Sequence, residues 1–296
     1  MTVTRVGMVL GAGGVTGDAF HRGVLRALRE SGYDARAAHV IAGTSAGSAV
    51  GASLRRPDRP FGRALHEASV HGRKLGVAPD LSPYLAALRR PWRVRPGVLL
   101  ASLLPTGQRS TDFLVAGVRA QHGERWPDDP LYVVAVRRRD GRRVVFGRDG
   151  APPTDVAHAV AASCAIPGYF HPVEIDGEMY VDGGVHSPTN ADVLDGWALD
   201  LLLVSSPMSV DPRRLGVSVD LPMRLGFHRY LRRETASQRK RGTTVVAFEP
   251  GGELLSVMGV NALYGGRIDE IEEMSAAQAR ELLAASGAGD LLRAAA

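Results

Sequence analysis

The sequence has one cysteine, Cys164, among its 296 residues. A single thiol excludes an intramolecular disulfide framework and any metal site built from several cysteines, and it fits a reducing compartment. No apolar run approaches the ~20 residues that span a bilayer, and the first ten residues lack the apolar core of a secretory signal. These absences predict a soluble, cytoplasmic protein.

Aromatic residues are also scarce. They make up 6% of the chain, and none lies among the cations between Arg232 and Arg241. Proteins that bind single-stranded nucleic acid stack the bases on aromatic side chains within a basic groove. No nucleic-acid partner is therefore expected, although the formal net charge is +5.

Positive charge is concentrated in two segments of the chain. Residues 53–110 hold 11 Arg and Lys against 3 Asp and Glu, and residues 211–241 hold 9 against 3. Residues 111–210, between them, are acidic, with 8 against 14. Such asymmetry is typical of a face that meets anions such as membrane phosphates, but solvated surface arginines give the same pattern. Both interpretations stay open here.

Strand and helix patterns alternate along the chain, which indicates an α/β fold with a largely parallel sheet. The predicted strands are Val3–Leu10, Ala38–Ala42, the hairpin Leu131–Arg137 and Arg143–Gly147, Val173–Val181 with a turn at Asp176-Gly177, and Thr244–Glu249. The predicted helices are Asp18–Glu30, Ala46–Leu54, Asp155–Cys164 and Arg224–Arg241. A proline-containing stretch at about residues 55–110 interrupts the alternation and is predicted to be a cap-like insertion over the sheet. Its apolar patch Val98–Leu104, flanked by arginines, could dock on a lipid surface or pack on the core.

A glycine-rich loop, Gly-Ala-Gly-Gly-Val-Thr-Gly at residues 11–17, joins the first strand to the first helix. Such a loop presents backbone N–H groups beside a helix N-terminus, where a phosphate or an oxyanion binds. The dinucleotide pattern Gly-x-Gly-x-x-Gly fails at Thr16, and no acidic residue closes the second strand. No Gly-Lys-Ser/Thr follows either, so nucleotide binding is disfavoured.

A second glycine-rich turn places a serine between the second strand and its helix. The spacing Gly43-x-Ser45-x-Gly47 is typical of a sharp turn that strains the serine backbone and exposes a nucleophilic hydroxyl. Loops that follow adjacent parallel strands lie side by side, so the amides of Gly13 and Gly14 are expected near Ser45. The simpler alternative is a helix start capped by Ser45 or Thr44.

Asp182 is the candidate general base. It follows a predicted strand and precedes Gly183 and Gly184, so another group can approach its carboxylate closely. A plain Asp-Gly-Gly turn is the alternative. A conventional hydrolase would need a histidine after the acid, and His186 and His228 are the histidines that follow Asp182. The remaining histidines are expected to be surface or core residues.

These three motifs, in this order, resemble those of the patatin-like phospholipase family. Segments Ala162–Gly168 and Ser187–Asp192 add to the resemblance, which spans roughly Val6 to Asp192. It implies a three-layer α/β sandwich with a mostly parallel central sheet and helices on both faces, formed by one domain over residues 1–296. One departure is Thr16, since many members carry Arg or Lys at this position; the change removes a cation beside the loop.

The resemblance also implies a function and its residues. It implies a serine hydrolase of lipid acyl esters, of the phospholipase A or lysophospholipase type, that works through an acyl-enzyme with a Ser45–Asp182 dyad. An oxyanion hole would comprise the amides of Gly13, Gly14 and Val15. The supporting glycines of the three motifs are Gly11, Gly17, Gly43, Gly47, Gly183 and Gly184.

No metal or cofactor is expected, and the expected partners are a lipid or ester substrate and, peripherally, an anionic membrane surface. Two other classes stay open: an acyl transferase that uses a thioester or glycerolipid donor, and a non-catalytic basic binding protein. A carboxylate base predicts a rate that falls in acid near an Asp pKa of ~4, whereas a histidine base predicts a fall near ~6.5.

Overall fold

The computed structural model describes residues 4–56 and 106–295, and its centre is an eight-stranded mixed sheet. The strands are β1 (Val6–Leu10), β2 (Val40–Thr44), β3 (Leu131–Arg137), β4 (Arg143–Phe146), β5 (Val173–Ile175), β6 (Glu178–Asp182), β7 (Leu201–Ser205) and β8 (Thr244–Phe248). Successive strands are paired in the series β5-β6-β3-β2-β1-β7-β8, and β4 also pairs with β3. Strands β3, β2, β1, β7 and β8 run parallel, whereas β4 and β6 are antiparallel to β3.

Helices cover both faces of the sheet. They are α1 (Gly14–Glu30), α2 (Ala46–Leu54), α3 (Asp112–His122), α4 (Val156–Ser163), α5 (Leu221–Glu234), α6 (Ala236–Lys240), α7 (Glu253–Met258), α8 (Ile268–Ser286) and α9 (Gly289–Ala295). Short 3₁₀ turns lie at Ala35–Ala37, Gly183–Val185 and Ala191–Leu194.

Two apolar clusters separate the three layers. Met8 and Leu10 of β1 belong to the larger cluster, with residues of α1, α2, α4 and α8. Val9 points to the opposite face and belongs to a smaller cluster with Leu194 and Leu231. Strands β1, β2 and β7 are buried at every residue, as expected for parallel strands covered on both sides. The expected α/β class with a mostly parallel central sheet is confirmed.

The strand β3 brings the ends of two other strands together. Residues Ile41–Thr44 of β2 pair with Leu131–Val134, and Asp182 of β6 pairs with Ala135, the next residue along β3. Because β4 occupies the other side of β3 at Val133–Val136, β2 and β6 must lie on the same side. They run in opposite directions and therefore end facing each other, with Thr44 and Asp182 at the junction.

Two of the predicted helices differ from those in the structure. Helix α1 begins at Gly14, inside the glycine loop, because the Gly17 amide donates to the Gly13 carbonyl (2.8 Å) and closes the first turn. The basic helix expected over Arg224–Arg241 is two helices, α5 and α6, separated at Thr235. Helix α5 also begins earlier, at Leu221, with a proline in its first turn, where a missing N–H costs nothing.

Residues 57–105 lie outside the described residues, and with them most of the predicted cap and the whole Val98–Leu104 patch. Both remain predictions. Within residues 4–56 and 106–295, no helix combines the length and apolar content needed to cross a bilayer.

Candidate functional site

Ser45 lies at the turn between β2 and α2 with φ 53° and ψ −124°, a conformation that non-glycine residues rarely adopt. A Cβ on Gly43 would lie 2.5 Å from Ser48 Cα, and one on Gly47 would lie 2.1 Å from the Leu10 carbonyl oxygen. Both positions therefore require glycine, which is the steric reason for the motif. Ser45 occupies the N-cap position of α2, but its side chain makes no capping hydrogen bond. The Ser45 hydroxyl therefore does not cap α2.

Ser163, at the end of α4, holds this turn in place. The Ser45 amide donates to Ser163 Oγ (2.8 Å), and the Ser163 hydroxyl donates to the Val134 carbonyl of β3 (2.6 Å). Ser163 is fully buried, so this relay has no competition from water. Sequence reasoning assigned Ser163 no role, although it lies in the Ala162–Gly168 segment of the resemblance.

Asp182 ends β6 and is a buried residue, 5% exposed. The Gly184 amide donates to Asp182 Oδ1 (2.7 Å). Burial raises the pKa of Asp182 to about 6, against the opposing effect of hydrogen bonding to the Ser45 side chain and the Gly184 amide. The carboxylate is therefore mainly ionised at pH 7 and close to its titration point.

Close approaches bring the three glycine motifs together. A Cβ on Gly183 would lie 3.1 Å from Thr44 Cγ2 and 2.3 Å from the Val134 carbonyl oxygen. A Cβ on Gly184 would lie 3.3 Å from Ala12 Cβ. The Asp182 turn therefore contacts both the serine turn and the glycine loop.

Asn190 ties the same two turns by hydrogen bonds. Its Nδ2 donates to Thr44 Oγ1 (3.2 Å) and to the Gly183 carbonyl (3.3 Å). Asn190 is fully buried and adopts a left-handed conformation, with φ 52°. One amide thus links the residue before Ser45 to the residue after Asp182.

The glycine loop presents free amides at the start of α1. Thr16 N donates to the Ala262 carbonyl (3.1 Å), whereas no group within the described ranges accepts from the amides of Gly14 and Val15. Both residues line a cavity with Ser45. Gly13 is the N-cap residue of α1, and a Cβ there would lie 2.6 Å from Gly17 Cα. Thr16 is buried, and its hydroxyl donates to the Gly13 carbonyl (3.3 Å).

His21 supports this loop from below, which sequence reasoning did not find. Its Nε2 lies 2.8 Å from the Gly11 carbonyl oxygen and its Nδ1 lies 2.7 Å from Ser205 Oγ. A carbonyl only accepts, so Nε2 carries the proton and Nδ1 accepts from the Ser205 hydroxyl. Burial lowers the pKa of His21 to about 4, which keeps the ring neutral at pH 7. In sequence it is one polar residue in an amphipathic helix, and no local signal marks it.

The cavity beside Ser45 is mostly apolar. Gly14 and Val15 at the start of α1 and Ser45 and Ala46 at the serine turn form one part of its lining. The remaining lining residues are Phe113, Leu114, Cys164, Ile166, Phe170 and Leu263. Cys164 is buried, as expected of a small apolar residue, and burial raises the pKa of its thiol well above the usual range.

The two candidate triad histidines have other partners. His186 Nδ1 lies 3.0 Å from Asn190 Oδ1, and His228 Nδ1 lies 2.9 Å from Glu249 Oε1. In the part of the chain that the structure describes, no three His, Cys, Asp or Glu side chains gather as metal ligands would.

The family model of patatin-like phospholipases matches residues 8–195. An uncharacterised NTE family protein of Mycobacterium bovis and one of Mycobacterium tuberculosis are each 32% identical over 206 residues. The alignment covers 68% of this chain and 49% of each relative, so the chain spans about half the length of the curated relatives it matches.

Two solved structures are also similar in part. VipD from Legionella pneumophila has a TM-score of 0.42 at 12% identity, with 96% of this chain and 67% of that chain covered. The type III effector ExoU has a TM-score of 0.41 at 16% identity, with 96% and 53% covered. The family model matches more than half of the residues, and the mycobacterial relatives agree with it. This chain therefore belongs to the patatin-like phospholipase family.

Proposed function

We propose that this protein hydrolyses acyl esters of lipids, in the manner of a phospholipase A or lysophospholipase, with Ser45 as nucleophile and Asp182 as its base. The observation that carries the proposal is the junction at which β2 and β6 end face to face on β3, beside an apolar cavity. Family membership supports lipid acyl hydrolysis in general. The lining of the cavity is suited to an acyl chain, since its side chains are predominantly aliphatic and aromatic.

The first half of the reaction forms an acyl-enzyme. Ionised Asp182 accepts the Ser45 hydroxyl proton while Oγ attacks the ester carbonyl carbon. The carbonyl oxygen becomes an oxyanion, which amides of Gly13, Gly14 and Val15 stabilise together with the positive end of the α1 dipole. The tetrahedral intermediate then collapses, and the leaving alcohol takes the proton back from Asp182.

Hydrolysis of the acyl-enzyme repeats these steps with water. Asp182 accepts a proton from a water molecule that attacks the acyl-Ser45 carbonyl, and it returns the proton to Ser45 Oγ as the fatty acid leaves. A carboxylate is a weak base, so much of the catalysis falls to the amides, each worth about 10²–10³ in rate. The raised pKa of Asp182, about 6, makes it a better base than an exposed aspartate.

Fluorophosphonate labelling followed by intact-mass analysis tests the nucleophile. The wild-type chain should gain one adduct, and Ser45→Ala should gain none and lose hydrolysis of a p-nitrophenyl ester. Ser53→Ala, in the same helix, is the matched control and should label normally. A labelled Ser45→Ala protein with ordinary activity would refute the assignment.

The same assay separates the dyad from a histidine mechanism. Asp182→Asn should lower kcat by about 10²–10⁴, the usual contribution of a general base. His186→Ala and His228→Ala should each keep most of the activity.

A lysophospholipid substrate separates a hydrolase from a transferase. A hydrolase should release free fatty acid at a rate that added glycerol or thiol does not change. Acylation of the added acceptor would indicate a transferase instead.

A further inference from the structure

Large apolar side chains that face solvent are confined to two short segments of the described chain, residues 215–223 and 260–264. They are Leu215, Val217, Val219, Met223, Val260 and Tyr264. We call these six side chains the apolar rim. Val217 and Val219 are each 89% exposed. Concentrated exposure of this kind marks an interaction surface, whereas scattered single apolar residues do not.

The rim lies at the same edge of the sheet as Ser45. Its two segments follow β7 and β8, which run parallel to β1 and β2, so all four strands present their following loops at one edge. Hydrogen bonds hold the flanks of the two segments together: Ser256 Oγ of α7 donates to the Val217 carbonyl (3.2 Å), and Arg224 Nη2, next to Met223, donates to the carbonyl of Gly259, next to Val260 (3.5 Å).

The rim is also continuous with the cavity beside Ser45. Ala262, between Val260 and Tyr264, accepts the Thr16 amide of the glycine loop (3.1 Å). The next residue, Leu263, lines the cavity together with Ser45 and Phe170. One short segment therefore connects the exposed apolar surface to the apolar interior of the site.

We propose that the apolar rim docks on the surface of a phospholipid bilayer and passes an acyl chain from the bilayer into the Ser45 cavity. The inference rests on the proposed function, because the cavity is taken as the acyl site. A bilayer fits better than a protein partner. An acyl chain that leaves the bilayer along the apolar rim and Leu263 would keep its methylene groups out of water.

Two further features suit a bilayer. The Tyr264 side chain combines an apolar ring with a hydroxyl, a composition favoured at membrane interfaces. Arg213 and Arg214 adjoin the rim with side chains 74% and 45% exposed, although each also pairs with a carboxylate. Arginines beside an apolar surface are placed to meet lipid phosphates.

Vesicle co-sedimentation tests the proposal with the full chain and vesicles of phosphatidylcholine and phosphatidylserine. The double variant Val217→Ser, Val219→Ser should bind at least ~10-fold more weakly, because two nearly fully exposed apolar side chains no longer enter the bilayer. Its hydrolysis of a short soluble ester and its melting temperature should match the wild type. The matched control Val217→Leu, Val219→Leu keeps the apolar area and should bind normally.

Ser45→Ala keeps the result separate from the proposed function. This variant should bind vesicles as the wild type does, so docking can hold even if Ser45 is not the nucleophile. Unchanged binding by the serine double variant would overturn the proposal, whether or not salt weakens that binding. A wild-type dimer in light scattering that the serine double variant converts to a monomer would also overturn it, because the rim would then contact a second copy of the chain.

Discussion

Backbone strain is concentrated at the proposed dyad. Among the described residues, Ser45, Asp176 and Asn190 are the non-glycine residues with positive φ, and two of these three belong to the site. Such conformations cost about 1–3 kcal/mol each and persist where surrounding contacts fix them. At Ser45 those contacts are the Ser163 relay to β3, and at Asn190 they are its hydrogen bonds to Thr44 and Gly183.

The burial of Asp182 sets the pH dependence expected of the proposed mechanism. In that mechanism Asp182 must be ionised to accept the Ser45 proton, and burial raises its pKa to about 6. We therefore expect kcat/KM for a soluble ester to fall as the pH drops through about 6, and not near the ~4 expected of an ordinary aspartate. A pH-rate profile of the free enzyme measures this limb. A limb at pH 4 would contradict the effect of burial.

An acid limb near pH 6 also limits how well the pH-rate profile can distinguish a carboxylate base from a histidine base. A histidine base would give a limb near ~6.5, close to that of the buried carboxylate. The substitutions at Asp182, His186 and His228 therefore decide between the two mechanisms, and the profile alone does not.

The same pKa predicts that Asp182 destabilises the fold at neutral pH. The folded chain holds its proton up to about pH 6, whereas the unfolded chain releases it near 3.8. Between these values the folded state binds more protons, so stability falls as pH rises from about 4 to 6 and then levels off. The full difference corresponds to about 3 kcal/mol.

Asp182→Asn should remove this cost while its amide oxygen still accepts from Gly184. Its free energy of unfolding should exceed that of the wild type by about 2–3 kcal/mol at pH 7–8, and the two should converge near pH 4. Urea titrations at several pH values measure the difference. Equal stabilities at pH 8 would mean that the carboxylate is better solvated than its burial indicates.

At the scale of elements, the site depends on how closely α2 approaches the sheet. A Cβ on Gly47 would lie 2.1 Å from the Leu10 carbonyl oxygen of β1, which is backbone and cannot rotate away. Gly47→Ala should therefore push α2 outward, lower the stability by about 2–3 kcal/mol and shift Ser45 enough to reduce esterase activity.

Gly117→Ala is the matched control in another helix. Gly117 lies inside α3, and no atom of residues 4–56 or 106–295 beyond its own helix lies within 4 Å of the position of its Cβ. This substitution should raise stability by about 0.5–1 kcal/mol because alanine restricts the unfolded chain. Thermal melts of both variants measure the contrast, and a Gly47→Ala protein that melts like the wild type would refute the close packing of α2.

At the scale of the whole molecule, the residues matched by the family model do not complete the sheet. The match ends at residue 195. The later strand β7 pairs with β1 over Val6–Leu10, and β8 pairs with β7 in turn. Helix α8 packs against α1, where a Cβ on Gly23 would lie 2.4 Å from the Glu272 carbonyl oxygen. Ser205 of β7 also holds His21 beneath the glycine loop.

A fragment of residues 1–195 should therefore fail to fold, because one edge of buried β1 would lose its partner. Circular dichroism should show no cooperative thermal transition, and fluorophosphonate should not label the fragment. A chain of residues 1–287 keeps every strand and α8, and serves as the control. Cooperative melting of the 1–195 fragment would show that the later strands are dispensable.

The sequence by itself determined the family, the candidate residues of the site and part of the alternation of strands and helices, whereas β7, α3, α7, α8 and α9 were not predicted. It could do so because these features are local: a glycine pattern reports the backbone of its own turn, and apolar periodicity reports the faces of its own element. The steric requirement for glycine at Gly43 and Gly47 follows the spacing that pointed to Ser45. The start of α1 and the break at Thr235 were missed because hydrogen bonds close to helix ends decide them.

Tertiary structure alone decided how the site is assembled and tuned. Ser45 and Asp182 are 137 positions apart, and they meet because β2 and β6 pair with successive residues of β3. The supports Ser163, Asn190 and His21 act through contacts between distant segments, which leave no local pattern. The pKa of Asp182 depends on how many layers cover it, and burial is a property of the folded chain.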